Sequence, residues 1–231
     1  MKSKLKLYTQ VLLGIEYAPR VDVRLNRCWV GSEYGGFFVA LDRLSSETIV
    51  YSVGIGEDIS FDLELIDLYG LKVFGFDPTP QSLEWIASQK LPGNFKMHPY
   101  GLADFNGTAK FYAPKNSEHV SHSLVINEGS NHPCIEVEMR TLEGLQSLVG
   151  ESAIDILKID IEGAEYKTID HLLMSDCRPA QLLVEFHHRS NNFSVADTRN
   201  AVRKIRDAGY LLFGLSASGH ELSFICKEAI K

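Results

Sequence analysis

From residue 49 onward, short β-branched and aromatic runs alternate with stretches of helical period, and no other feature restricts the fold as strongly. Ile49-Val50-Tyr51-Ser52-Val53 reads as a strand and runs directly into Gly54-Ile55-Gly56. Residues 58–69 then repeat apolar side chains (Ile59, Leu63, Ile66) at helical spacing, and Gly70 supplies the stop. Residues 72–76 form a second strand, ended by Asp77-Pro78-Thr79-Pro80, and Pro80 can open the helix over 81–88. Further strands are expected at 95–100, 154–159 and 181–186, with helices running to about Met174 and, capped by Ser194, through Ala208. Such a βα series predicts a parallel sheet with helices on both faces. The last two runs, 210–215 and 221–227, leave too little chain for a crossover helix, so they must pair antiparallel. The expected fold is α/β: a doubly wound, mostly parallel seven-stranded sheet with a C-terminal antiparallel hairpin.

The middle of the chain departs from this rhythm. Residues 108–112 and 135–139 alternate polar and apolar as half-exposed strands do, and Thr141 caps a short helix to Leu148. Between those two strands lies a polar stretch, 115–133, whose His119, Ser121, His122 and Ser123 are candidates to line an acceptor pocket. Residues 1–48 precede the core and are expected to pack over its ligand edge, with 1–231 forming one domain.

A hydrophobic fraction of 45% with 23% charged residues is that of an ordinary globular protein. A net charge of −7 argues against a nucleic-acid partner, and the basic group Arg199, Arg203, Lys204 and Arg206 reads as a solvated helix face. No apolar stretch approaches the ~20 residues of a membrane span, and Val11-Leu12-Leu13 is too short for a secretory leader. Cys28, Cys134, Cys177 and Cys226 are scattered, without zinc-site spacing, as expected of free thiols in a reducing compartment. These features predict a cytoplasmic protein with neither a nucleic-acid nor a membrane partner.

In an open parallel sheet, ligands bind beyond the C-terminal strand ends, near the point where strand order reverses. Gly54 and Gly56 let the chain turn tightly there and bring backbone N–H groups against a ligand. A dinucleotide-binding GxGxxG would need a third glycine at position 59, where the chain has Ile59. That glycine lets a helix approach a pyrophosphate, so its absence disfavours an NAD(P)-dependent oxidoreductase. Asp77 stands near the ~20-residue spacing at which a carboxylate grips a ribose diol. A plain Asp-Pro turn is the other reading of the same residue.

Five segments together resemble the FkbM family of methyltransferases, over roughly residues 30–226. They are Val53-Gly54-Ile55-Gly56, Val73-Phe74-Gly75-Phe76-Asp77-Pro78-Thr79, Gly101-Leu102-Ala103-Asp104, Val184-Glu185-Phe186-His187 and, most specifically, Leu157-Lys158-Ile159-Asp160-Ile161-Glu162-Gly163-Ala164-Glu165. The resemblance implies a class I, Rossmann-like methyltransferase fold and S-adenosyl-L-methionine (SAM) as cofactor. It also implies a small acceptor bearing a hydroxyl group, a sugar or a natural product. A non-catalytic protein of the same fold, binding a partner, is the reading from another class. Ser52 stands where an acid is usual in this superfamily's first strand, which passes the grip on the methionine end to Glu57 or Asp58.

On that layout Pro78, Gly101 and Leu102 flank the adenine, and Asp104 either accepts from its amine or stabilises a turn. Asp160 lies by the methyl position, where it either orients and deprotonates the acceptor or merely caps a helix beginning near Glu162. Glu162 and Glu165, on the first turn of that helix, suit its dipole in any protein. Lys158, in the strand before them, reads as structural. His187, ending the neighbouring strand beside His188, is the candidate base, as an imidazole titrating near pH 7. Asp160, Glu185 and His187 also offer ligands for a divalent cation, but their spacing is no metal motif and no metal site is assigned. Trp29 to Gly36, rich in aromatics and glycine, either closes over the SAM sulfonium or is an ordinary edge loop.

Overall fold

The computed structural model describes residues 7, 9–112, 134–151, 153–188 and 193–230. Its strands, in chain order, are β1 (Arg27–Val30), β2 (Phe37–Ala40), β3 (Ile49–Val53), β4 (Lys72–Phe76), β5 (Phe95–His98), β6 (Gly101–Leu102), β7 (Gly107–Tyr112), β8 (Cys134–Arg140), β9 (Ile156–Ile159), β10 (Gln181–Glu185), β11 (Tyr210–Leu215) and β12 (Glu221–Cys226). Seven of them make the main sheet, in the order β11-β12-β10-β9-β3-β4-β5. The five from β10 to β5 are parallel, and β12 enters antiparallel between β10 and β11. This is the expected doubly wound architecture with its terminal hairpin. The half-exposed strands of the middle stay out of it: β6, β8 and β7 form a separate three-stranded sheet.

Helices α1 (Ser60–Tyr69), α2 (Pro80–Ala87), α3 (Leu142–Val149), α4 (Glu165–Met174) and α5 (Val195–Asp207) follow the sequence signals closely. Gly70 ends α1 in the left-handed conformation, Pro80 stands at the start of α2, and the Thr141 side chain caps α3. Ser194 and Asp197 close a reciprocal capping box on α5. Among the described residues, two of the four basic residues on α5 are in ion pairs. Lys204 reaches Asp170 at 2.6 Å, and Arg206 reaches Asp22 of the N-terminal segment at 2.8 Å.

Alternating strand residues feed two cores, as expected of a sheet buried on both faces. Tyr51, Val53, Leu157, Ile159, Leu182 and Val184 face α3, α4 and α5. Val50, Ile156 and Leu183 face α1, α2 and the β1–β2 hairpin. The hairpin is anchored by one side chain. Gln181, 2% exposed at the start of β10, accepts from the Ala40 N–H at 2.9 Å and donates to the Ala40 carbonyl at 3.0 Å. That amide satisfies a backbone pair at the buried end of β2 and so sets where the hairpin turn lies over the sheet.

Gln181→Leu would orphan both backbone groups, at a cost of ~1–3 kcal/mol each in a buried setting. We expect a thermal midpoint lowered by roughly 4 °C or more, with faster amide hydrogen exchange concentrated in residues 27–40. Unchanged exchange there would show that the hairpin is held by its apolar contacts alone.

Candidate functional site

The strand order reverses between β3 and β9, and at their C-terminal ends the chain is packed backbone against backbone. A Cβ on Gly54 (φ 80°) would stand 1.6 Å from the Asp160 carbonyl oxygen, so only glycine fits there. Beyond it the 54–56 turn is gathered onto Asp77 at the end of β4. Asp77 Oδ2 accepts from the N–H groups of Ile55 (3.1 Å) and Gly56 (3.0 Å), and Oδ1 accepts from the Thr79 N–H and hydroxyl. The reading of Asp77 as a plain turn residue is therefore half right. It shapes its own turn and also holds the glycine turn of the neighbouring strand.

These strand ends open into a cleft of about 350 Å³. Gly54, Gly56, Glu57, Asp77, Pro78, Gly101, Leu102 and Asp160 all line it. Its walls between β4 and the small sheet are apolar, made by Leu102, Phe111 and Met139. Gly101 lets the Met139 side chain close that wall, because a Cβ there would meet the Met139 sulfur at 2.5 Å and push it aside. Asp104 does not line the cleft; the chain turns after β6 and leaves it exposed. Trp29 turns back to donate to the Ser32 carbonyl, and it is Tyr34 and Gly35, in the β1–β2 turn, that reach the cleft. His119, Ser121, His122 and Ser123 lie outside the described residues.

The run from Asp160 to Glu165 differs from the sequence reading. Helix α4 begins at Glu165 with Ala164 as its cap, so Asp160 caps nothing and Glu162 is not in the helix. Glu162 instead adopts φ 49°, the one left-handed non-glycine among the described residues, and Gly163 follows at φ 101°. This strained turn aims acidic side chains at the end of β10. His187 Nε2 lies 3.7 Å from Asp160 Oδ1, 3.6 Å from Glu162 Oε2 and 3.8 Å from Glu185 Oε1. Glu165, fully buried, accepts from the His187 N–H at 2.8 Å and lies 3.3 Å from Nδ1.

The electrostatics follow from crowding one imidazole with four carboxylates. Burial pulls the His187 pKa down, but the hydrogen bond and charge of Glu165, then Asp160 and Glu162, outweigh it and push it up to about 10. The expectation of an imidazole titrating near neutrality is thus corrected: His187 is a cation at pH 7. Burial, then the Asp160 charge, pushes Glu185 up to about 9. Burial also raises Asp160, against the pull of Lys158 and His187. Tyr34, exposed at the rim, is raised by partial desolvation of its hydroxyl and then by the charges of Asp160, Glu162, Glu185 and Asp58. Asp160, Glu162 and His187 bring one ligand atom each within 4.8 Å of one another, a grouping able to hold a cation.

Sequence reasoning missed Asp62. Ser52 leaves no acid on β3, yet Asp62 of α1 is buried against that strand, near Ser52 and Lys158. Lys158 itself donates to the Gly54 carbonyl at 3.0 Å, as a structural residue would. Its helical neighbours disguise Asp62 as one more polar position. Asp58, at the cleft, takes bonds from the Ser32 hydroxyl (2.6 Å) and the Ser60 N–H (2.8 Å). Against the opposing effect of burial, these bonds and the Lys158 charge lower its pKa, so Asp58 is charged.

Comparison with known proteins gives the family. The model of the methyltransferase FkbM domain matches residues 41–212. "Probable methyltransferase-like protein 24" of Rattus norvegicus and that of Homo sapiens are each 26% identical over 161 residues, covering 66% of this chain and 36% of the relative. The chain thus spans about a third of the length of these curated relatives. Among solved structures, the Methanococcus jannaschii fibrillarin pre-rRNA processing protein aligns with a TM-score of 0.48 at 8% identity, over 79% of this chain and 68% of that one.

Burial pushes the Asp62 carboxyl up to about 6, against the pull of Lys158 and Ser52. A folded-state value above the unfolded one means that folding favours the protonated acid. Its stabilising contribution is complete at about pH 4 and is lost as pH rises to 6. Asp62→Asn is therefore expected to equal the wild type near pH 4 and to exceed it by about 1–3 kcal/mol at pH 8. Urea unfolding across that range tests this; a difference independent of pH would refute the burial account.

Proposed function

We propose that this chain, which belongs to the FkbM methyltransferase family, transfers a methyl group from SAM to the hydroxyl oxygen of a small acceptor, a sugar or a natural product. One observation carries the reading. The glycine turn gathered by Asp77 opens into the same cleft as Asp160, which itself stands against the charged His187.

The cleft fits a nucleoside-sized ligand. Pro78, Gly101 and Leu102, with the apolar wall behind them, would take the adenine. Asp77 would take the ribose diol: its four acceptor sites are filled, but the Thr79 hydroxyl can rotate away and give up Oδ1 to a ribose hydroxyl. Asp58, held charged beside Ser32, would take the amino group of the methionine end, with Glu57 nearby at the rim. SAM supplies an electrophilic methyl carbon and leaves as its neutral thioether.

Asp160 orients the acceptor hydroxyl and accepts its proton as the oxygen attacks. A carboxylate whose pKa burial has raised is a better base near neutrality than an ordinary one. His187, already protonated, is not the proton acceptor in this scheme; it holds Asp160 and Glu162 in place. Tyr34 and Gly35 supply the rim where the acceptor enters. An NAD(P) enzyme would need its pyrophosphate turn at Ile59, a position buried in the core.

Asp77→Ala should weaken SAM binding by roughly 1.5–3 kcal/mol, the range for hydrogen bonds to a charged group. Asp160→Asn should leave SAM affinity nearly unchanged while cutting turnover by about 10²–10⁴-fold. Calorimetry with SAM, paired with methyl-transfer assays on a panel of sugars and hydroxylated metabolites, tests both. Full turnover by Asp160→Asn would overturn the base assignment. Methylation of amines alone would overturn the acceptor class, and SAM binding without any transfer would favour a non-catalytic role.

A further inference from the structure

A second polar cluster lies outside the lining of the cleft, where β10 ends and β12 begins. Register builds it: β10 pairs antiparallel with β12, Glu185 opposite Glu221, and the Phe186 N–H donates to the His220 carbonyl at 3.0 Å. His188, two residues further along, therefore comes beside His220, with their rings edge to face at 5.6 Å. The N-terminal segment supplies the third member. Glu16 is buried, its carboxylate in direct contact with His188 Nε2, and its second oxygen is 3.5 Å from His220 Nε2. Gly219, at φ 93°, makes the turn that leads into His220, a backbone conformation that favours glycine.

We propose that Glu16, His188 and His220 form a structural site for one zinc-class divalent cation, which fastens the N-terminal segment to the ends of β10 and β12. The three ligand atoms, one from each residue, all fall within 4.8 Å of one another. Two ligands each about 2.0–2.1 Å from a tetrahedral zinc stand roughly 3.4 Å apart. The 3.5 Å between Glu16 and His220 matches that edge. Two imidazoles with one carboxylate suit zinc over calcium or magnesium, which take oxygen ligands in greater number. The outer shell is also built: His188 Nδ1 is 3.2 Å from the Thr198 hydroxyl, which in turn is 2.9 Å from the Tyr166 hydroxyl. That chain sets the His188 ring orientation and turns Nε2 toward Glu16, so that a cation binding there would replace the direct contact between the two. His220, the more exposed of the two histidines, leaves the fourth position to water.

The test uses the full chain, stripped with a chelator, desalted and titrated with cobalt(II). One equivalent should bind with the visible absorption of four-coordinate cobalt, and zinc should displace it. Zinc should also raise the thermal midpoint of the stripped protein by roughly 5 °C or more at saturating concentration. H220Q should weaken zinc by at least tenfold while keeping the midpoint of the stripped wild type, and T198V should weaken it about tenfold through the outer shell. D160N, in the other His and carboxylate grouping, should leave the cobalt spectrum unchanged. Failure to bind an equivalent of cobalt or zinc, a spectrum lost in D160N but kept in H220Q, or zinc affinity untouched by H220Q would each overturn the proposal. None of these outcomes bears on methyl transfer, so the two readings fail separately.

Discussion

The backbone of Gly54 runs so close to the Asp160 carbonyl that no side chain fits between them, and the cleft is arranged around that contact. It joins the ends of the two strands at which the sheet changes direction. On one side the 54–56 turn points its N–H groups at Asp77, and on the other the chain continues into the strained Glu162-Gly163 turn. A parallel sheet always leaves a crevice at such a point. Here the close approach puts the glycine-turn end and the acid-rich end of the crevice within one small cavity.

The acid-rich end is expensive to build. Four carboxylates and a histidine share a partly dry space, and their titration is displaced as a consequence: His187 stays charged, while Glu185 holds its proton. Desolvation and like-charge repulsion oppose the arrangement, and the buried Glu165 with its two backbone donors holds it together. Strain at Glu162 and perturbed acids thus fall in one cleft, the combination on which the proposed chemistry rests.

Much of the architecture was legible from residue order. Strand and helix periods, Gly70, Pro80, Thr141 and the Ser194 cap are local signals, and local geometry follows them. Gly54, Gly56, Asp77, Gly101, Leu102 and Asp160 were legible as cleft residues because strand ends are where such a sheet leaves a crevice. For Asp104 and for Trp29 the sequence left a ligand role and a plain turn or edge-loop role open, and in the fold each is turned away from the cleft by a bend of the backbone.

What the chain determines by itself is the order and type of its elements, since hydrophobic period and turn chemistry act over a few residues. Protonation states and long-range partners were decided only by tertiary packing. His187 is a base on paper and a cation in the fold, because Asp160, Glu162, Glu165 and Glu185 reach it from other segments. Asp62 takes up its place beneath β3 only when α1 docks there. Glu16, His188 and His220, far apart in the chain, meet because strand register brings two turns together and the N-terminal segment folds back across them. A pKa depends on charge and solvent within a few ångströms, and those neighbours come from pairing that no local window of sequence contains.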